Sequence, residues 1–273
     1  MTGRLRRPLR IALIGWGAIN RHVAGLLSRS AVAEAVSIVA IGVRSPVRAQ
    51  DIPAGASLLT DPRQLAGLDL DFVAEAAGQP AVAVWGESAL RQAGAFAVTS
   101  TGALGDTALL DRLVSVADAA GSQLIVTPGA LAGIDALAAA SVLPLDEVVH
   151  GIVKPPAAWR GTPAETLVAL DELTAPIAFF TGSAREAAAR FPQNANVAVI
   201  SALAGIGLDR TRVELVADPG ITSNCHRLSA RGAFGRLSVS IENRPLADNP
   251  KSSEMAALSL VRAISNRVSP LAR

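Results

Sequence analysis

Two glycines stand directly after a short apolar run and directly before a helix-like stretch, in Ile11-Ala-Leu-Ile-Gly15-Trp16-Gly17-Ala18-Ile19-Asn20. In such an order the first glycine permits a tight strand-to-helix turn. The second lets a phosphate approach the backbone, where the free N–H groups of a helix N-terminus meet its charge. The chemistry this suits is the binding of a dinucleotide pyrophosphate; the plain alternative is a tight turn with no ligand. Asn20 occupies the third glycine position of the fingerprint, so helix and strand must pack closely by another route.

The next apolar run ends Ile41-Gly42-Val43-Arg44-Ser45-Pro46, with no acid at its tip. An acid there would bind a ribose 2′-hydroxyl, whereas an arginine accommodates a 2′-phosphate. Arg44 and Ser45, with Arg48 following, suit a phosphate, so NAD and NADP both stay open and the expectation tilts toward NADP. A solvated surface arginine is the other reading of Arg44.

Three histidines offer groups that titrate near neutrality. His22 falls just past the glycine loop, where a surface or packing role is expected. His150 lies inside an expected strand with no evident partner. His226 follows Ser223-Asn224-Cys225 at the start of a hairpin strand and is the candidate general acid–base. Cys225, its neighbour in an extended segment, points to the opposite face and reads as packing. Arginine supplies 23 of the 25 cationic residues, leaving only Lys154 and Lys251, each beside a proline. A compact ammonium differs from guanidinium in reach and hydration. These lysines, and more weakly Asn224, are candidates for binding a substrate carboxylate; two ordinary surface lysines is the alternative.

The elements that must position these residues alternate in the first half. Arg10–Ile14, Val36–Val43, Asp71–Ala74, Ala95–Ser100 and Gln123–Val126 read as strands, and Asn20–Ser28, Val82–Gln92 and Asp106–Ala120 as helices. That alternation predicts an α/β fold with a parallel sheet covered by helices. After about Gly133 the pattern changes. Segments Glu147–Val153 and Glu165–Thr174 precede helical stretches at Ser183–Arg190 and Asn194–Ala204. Strands follow at Thr211–Ala217, His226–Ala230 and Arg236–Glu242, the last two joined by a turn over Arg231–Gly235. A helix over Ser253–Ser265, introduced by Asn249-Pro250, closes the chain. The expectation is two domains: residues 1–134, with 245–273 packing back on it, and residues 135–244 as a mixed α/β substrate-binding and dimerisation domain.

Composition narrows the function classes. The 273 residues are 50% hydrophobic and 18% charged, enough apolar side chains to order a core of that size. One cysteine excludes an intrachain disulfide framework and a cysteine-based metal cluster. A net charge of +2 is no nucleic-acid footprint. No signal peptide and no unbroken apolar run of about 20 residues is present, so no membrane partner is expected and the location is read as cytoplasmic.

Together these motifs resemble a known family. Gly15-x-Gly17-Ala18-Ile19, Ser100-Thr-Gly102-Ala103-Leu104, Pro128-Gly129-Ala130-Leu-Ala-Gly133-Ile-Asp135 and Lys154-Pro-Pro are similar to motifs of the L-aspartate dehydrogenases. So are Phe191-Pro-Gln-Asn194-Ala-Asn196-Val, Ala204-Gly205-Ile-Gly207-x-Asp209-Arg210-Thr-Arg212-Val, Ala217-Asp218-Pro219, Cys225-His226 and Asn249-Pro-Lys251-Ser-Ser. The resemblance runs from about Ile11 to Ile264.

The resemblance implies an N-terminal Rossmann domain, a C-terminal mixed α/β domain and a homodimer. It also implies NAD(P)-dependent oxidation of L-aspartate to iminoaspartate, which yields oxaloacetate and ammonia or feeds NAD biosynthesis. His226 takes the place of the catalytic histidine, and Ala130 and Asn196 those of two cofactor contacts. Gly15, Gly17, Ala18, Ile19, Arg44, Ala77, Gly78 and Gly102 complete the candidate cofactor set; no metal is expected. Asn20, Arg44 and the small Ala195 depart from the family pattern and bear on cofactor preference more than on reaction class. An NAD(P)-dependent enzyme for another amino, keto or hydroxy acid, and a nucleotide-binding sensor without turnover, are the alternatives.

Overall fold

The computed structural model describes residues 7–45 and 49–272, without the side chains of Ala49, Pro250 and Lys251. Contacts divide the chain into two units, Met1–Thr127 with Ala256–Arg273, and Pro128–Met255.

The first unit runs β1 (Leu9–Ile14), α1 (Ala18–Ser28), β2 (Val36–Gly42), β3 (Ser57–Leu59), β4 (Leu70–Glu75), α2 (Gln79–Gln92), β5 (Ala93–Val98), α3 (Thr107–Ala120) and β6 (Gln123–Val126). The strands form one parallel sheet in the order β3-β2-β1-β4-β5-β6. Crossover helices cover both faces of such a sheet, which is why its central strands are apolar without alternation. Ile11, Ala12 and Leu13 of β1 and Phe72, Val73 and Ala74 of β4 are fully buried. Strand order reverses at β1 and β4, which places the topological switch point at their carboxyl ends. The Asp106 carboxylate caps α3 by accepting from the N–H groups of Ala108 and Leu109. The closing helix, Glu254–Ser265, buries Ala257, Leu260 and Ile264 at helical spacing in the same core as Ile11, Val23, Ile41 and Phe72.

The second unit contains α4 (Ile134–Ala140), β7 (Leu145–Lys154), β8 (Ile177–Ser183), α5 (Ala184–Arg190), α6 (Ala195–Ala204), β9 (Arg212–Ala217), β10 (Asn224–Gly232) and β11 (Gly235–Asn243). Its sheet is mixed, in the order β11-β10-β7-β9-β8, parallel only between β7 and β9. The β10–β11 hairpin pairs Gly232 with Gly235 across a two-residue turn. Helix α6 is apolar nearly all round because it is buried, with Ala195, Ala198, Val199, Ile200 and Ser201 at 4% exposure or less.

Two stretches take forms that the sequence left open. Glu165–Thr174 holds only the short 3-10 turns Pro163–Thr166 and Leu170–Glu172, and the strand β8 lies just beyond it. As an edge strand with Phe180 its one buried side chain, β8 carries no clean apolar alternation to read. Asn249–Ser253 is not only a turn into the last helix; it pairs antiparallel with Pro245–Leu246.

Candidate active site

In the first unit, the glycine loop joins β1 to α1 as its motif demands. Gly15 has φ +93°, a left-handed conformation that favours glycine, and its N–H donates to the Gly42 carbonyl at 2.7 Å. Gly17 differs: its φ is ordinary, it precedes α1 without any side-chain cap, and a Cβ there would meet no atom of the described residues within 4 Å. The bare helix N-terminus and the open space beside Gly17 fit an approaching pyrophosphate. Ala18 and Ile19 open that first turn. Asn20 answers its departure from the fingerprint: fully buried, its side-chain amide donates to the carbonyls of Ile14 and Gly15 at 2.9 and 2.8 Å, pinning helix to strand.

A cavity of about 550 Å³ opens beside this loop, lined by Gly15, Trp16, Gly17, Arg44, Ala77 and Trp85 among others. Arg44 is exposed at its rim, and Arg48 lies outside the described residues. Ala77 and Gly78 are held from below by Glu75. This fully buried carboxylate accepts from the N–H groups of Ala77, Gly78 and Ser100 and from the Ser100 hydroxyl, all within 3.0 Å. Burial pushes the Glu75 carboxyl up, while these donors favour its ionised form. The carboxylate thus ties together the loops after β4 and β5. Gly102 sits in the 3-10 turn Thr101–Gly105 that follows.

In the second unit, strand register gathers the polar residues. His226 of β10 pairs with Ile152 of β7, so His150 and Lys154, two residues to either side of Ile152, share its face. Asn224, two residues before His226, joins them. The two imidazoles meet diagonally: His150 Nε2 lies 3.2 Å from His226 Nδ1, with ring centroids 5.3 Å apart. His150 Nδ1 lies 3.0 Å from the hydroxyl of Ser201 on α6, and that hydroxyl donates to the Ala198 carbonyl at 3.0 Å. Burial pushes the His150 imidazole down to about 4. His226 is held well below the usual histidine range by burial first, then by His150 and the Lys154 ammonium.

Lys154 is half-buried, and desolvation lowers its ammonium to about 8. Its Nζ sits 4.8 Å from the ring centroid of Trp159, and among the described residues no carboxylate pairs with it. The Lys154-Pro-Pro run explains the contact: its prolines lead into the 3-10 turn Pro156–Trp159, and the Trp159 indole N–H donates to the Val216 carbonyl at 3.0 Å. The buried Cys225 takes the opposite face, its Sγ 3.4 Å from the Ser240 hydroxyl. Ala130 is positioned through its carbonyl, which accepts from the Asn243 amide at 2.9 Å. Asn196 lies in the first turn of α6, five residues before Ser201. Lys251 lies in the strand Asn249–Ser253, with its side chain outside the described residues.

Comparison with known proteins gives these features a family. A family model described as aspartate dehydrogenase, C-terminal, matches residues 135–267, and one described as homoserine dehydrogenase, NAD binding domain, matches residues 15–127. The chain is 55% identical to the L-aspartate dehydrogenase of Brucella anthropi over 258 residues, covering 94% of this chain and 96% of that one.

The chain belongs to the L-aspartate dehydrogenase family. A second relative, the L-aspartate dehydrogenase of Serratia proteamaculans, is 45% identical over 93% of this chain and 95% of its own length. The crystal structure of aspartate dehydrogenase from Thermotoga maritima shares the fold, with a TM-score of 0.75 at 24% identity, covering 96% of this chain and 98% of that one. In this member of the L-aspartate dehydrogenase family, sequence reasoning missed Glu75, Ser201, Asn243 and the pairing of His150. Two of these carry a faint signal: an acid ending the apolar strand Phe72-Val-Ala-Glu75, and a lone hydroxyl in the otherwise apolar stretch after Asn196. None reveals its partner without the fold.

Proposed function

We propose that the chain is an NAD(P)-dependent L-aspartate dehydrogenase, converting L-aspartate reversibly through iminoaspartate to oxaloacetate and ammonia. Membership of the family supports the reaction. The observation that carries the assignment of roles is the single sheet face shared by His226, Asn224 and Lys154.

The substrate brings two carboxylates and an α-ammonium. Lys154, a half-buried cation without an acidic partner among the described residues, is suited to one carboxylate, with Asn224 and Lys251 as further donors. His226, kept neutral by its surroundings, takes a proton from the α-ammonium, so that the nitrogen lone pair is free to form the C=N bond as hydride leaves the α-carbon. The nicotinamide, when bound, supplies the hydride acceptor. His226 passes that proton to solvent, then takes one from the water that adds to the imine carbon and returns it to the nitrogen, so that the adduct collapses to ammonium and the carbonyl of oxaloacetate. Gly15, Gly17, Ala18, Ile19, Ala77, Gly78, Gly102, Ala130 and Asn196 would hold the dinucleotide, and the space beside Gly17 is what its pyrophosphate needs. No metal enters the scheme.

The finer reading has four parts. Arg44 on the cavity rim, with no acid at the tip of β2, supports a preference for NADP. A homodimer and a link to NAD biosynthesis follow from the family resemblance, and a cytoplasmic location from the absence of a signal peptide or long apolar run in the sequence. No described helix is long and apolar enough to cross a membrane.

The test is nicotinamide absorbance with oxaloacetate and ammonium, comparing NADH with NADPH and wild type with Arg44→Ala. Oxidation requiring both co-substrates is expected, with the arginine variant losing affinity for NADPH alone. Turnover with other keto acids but not oxaloacetate would transfer the assignment to another substrate.

A further inference from the structure

We propose that His150 is a positioning residue for the reaction: with Ser201 it fixes the tautomer of His226, leaving Nε2 as the unprotonated nitrogen. This rests on His226 being the acid–base group.

The proton positions follow from the partners. Three contacts lie in series: His226 Nδ1 to His150 Nε2 at 3.2 Å, His150 Nδ1 to Ser201 Oγ at 3.0 Å, and Ser201 Oγ to the Ala198 carbonyl at 3.0 Å. A carbonyl only accepts, so the Ser201 hydroxyl donates to Ala198 and its oxygen receives the proton of His150 Nδ1. A neutral His150 then carries a lone pair on Nε2, and His226 must donate from Nδ1. Run in this direction, all three contacts are hydrogen bonds. Run in reverse, the serine proton turns to His150 and the Ala198 contact is lost. The forward arrangement therefore wins, and it leaves the lone pair of His226 on Nε2.

His150 is suited to this task alone. It is fully buried, so its imidazole reaches neither solvent nor substrate. An acceptor behind a catalytic histidine is usually a carboxylate, which also raises the basicity of the ring. Here the acceptor is neutral, and it orients His226 without adding a negative charge. Burial, and after it the Lys154 ammonium on the same face, then keep His226 unprotonated.

The protein holds only three histidines, so nitrogen-15 spectra of histidine-labelled protein can be assigned by single substitutions. The expected pattern for wild-type His226 is a proton on Nδ1 and none on Nε2. His150→Leu removes the acceptor. It should redistribute that proton and lower kcat about 100-fold with the KM for NAD(P)H unchanged. His150→Gln, which restores an acceptor, should recover kcat to within about tenfold of wild type. A His226 proton on Nε2 in the wild type, or a His150→Leu enzyme with wild-type kcat, overturns the proposal. If His150→Leu does not fold, the wild-type and His150→Gln spectra decide on the same criterion. Wild-type protein inert toward oxaloacetate and ammonium counts against the proposed reaction instead, while the spectra still decide the tautomer.

Discussion

A methyl group placed on Gly15 would lie 2.7 Å from the Ala77 Cβ and 2.9 Å from the Ala76 carbonyl oxygen. The loops after β1 and β4 therefore touch through a glycine that has no room for any side chain. Gly17, two residues on, faces open space among the described residues. The two glycines of one motif thus have different reasons, and substitution separates them. Gly15→Ala combines a φ of +93° with a backbone clash and should destabilise by about 1–3 kcal/mol, read as a lowered urea midpoint. Gly17→Ala should change stability by less than about 1 kcal/mol yet weaken NAD(P)H binding about tenfold or more. Equal effects of both variants on folding would show that Gly17 serves the turn, not a ligand.

His226→Ala should lower kcat by about 10²- to 10⁴-fold without altering the circular dichroism spectrum. As the proposed base, His226 works unprotonated, so activity is lost as pH falls through its titration. Because burial, His150 and Lys154 all push that titration down, the acid limb of kcat/KM should lie below pH 6.5. A limb at or above 6.5 that disappears in the variant would contradict the environment described for the ring.

Lys154→Met keeps an apolar stem of similar length and removes the charge. The KM for aspartate should rise about 10- to 100-fold, the worth of one charge-assisted hydrogen bond. Loss of the cation should also move the acid limb of His226 to higher pH. In the wild type the ammonium loses its proton near pH 8, so the aspartate KM should climb above that pH. The methionine variant should show no such climb. An unchanged aspartate KM in the variant would remove Lys154 from the substrate site.

The buried imidazoles also make stability depend on pH. His150 titrates at about 4 and His226 well below 6.5 when folded, against 6.5 when unfolded. Between these values the unfolded chain binds more protons than the folded one. Their contribution is therefore complete above pH 6.5 and is lost as pH falls toward 4, by up to about 1.4 kcal/mol per pH unit for each ring. Urea midpoints measured from pH 7 to 5 should fall for wild type and fall less steeply for His150→Gln. Parallel curves would mean that His150 takes up protons equally in the folded and unfolded protein.

What the sequence determined by itself was local or periodic. The glycine loop is legible because Ile11 to Asn20 are consecutive, and strand, turn and helix N-terminus follow from residue order alone. The parallel sheet of the first unit is legible because burial on both faces leaves unbroken apolar runs. The mixed sheet is half legible: the β10–β11 hairpin announces itself, while the exposed edge strand β8 does not.

Tertiary structure decided what depends on register and on distant partners. His150 lies 51 residues from Ser201 and 76 from His226. A one-residue slip of β10 against β7 would turn the two histidines to opposite faces. Glu75 is likewise an unremarked acid until folding brings the N–H of Ser100, 25 residues on, to its carboxylate. A candidate base can be read from a single residue, but the side of its ring that carries the proton is set by a hydrogen bond, and that bond exists only between elements the fold has placed side by side.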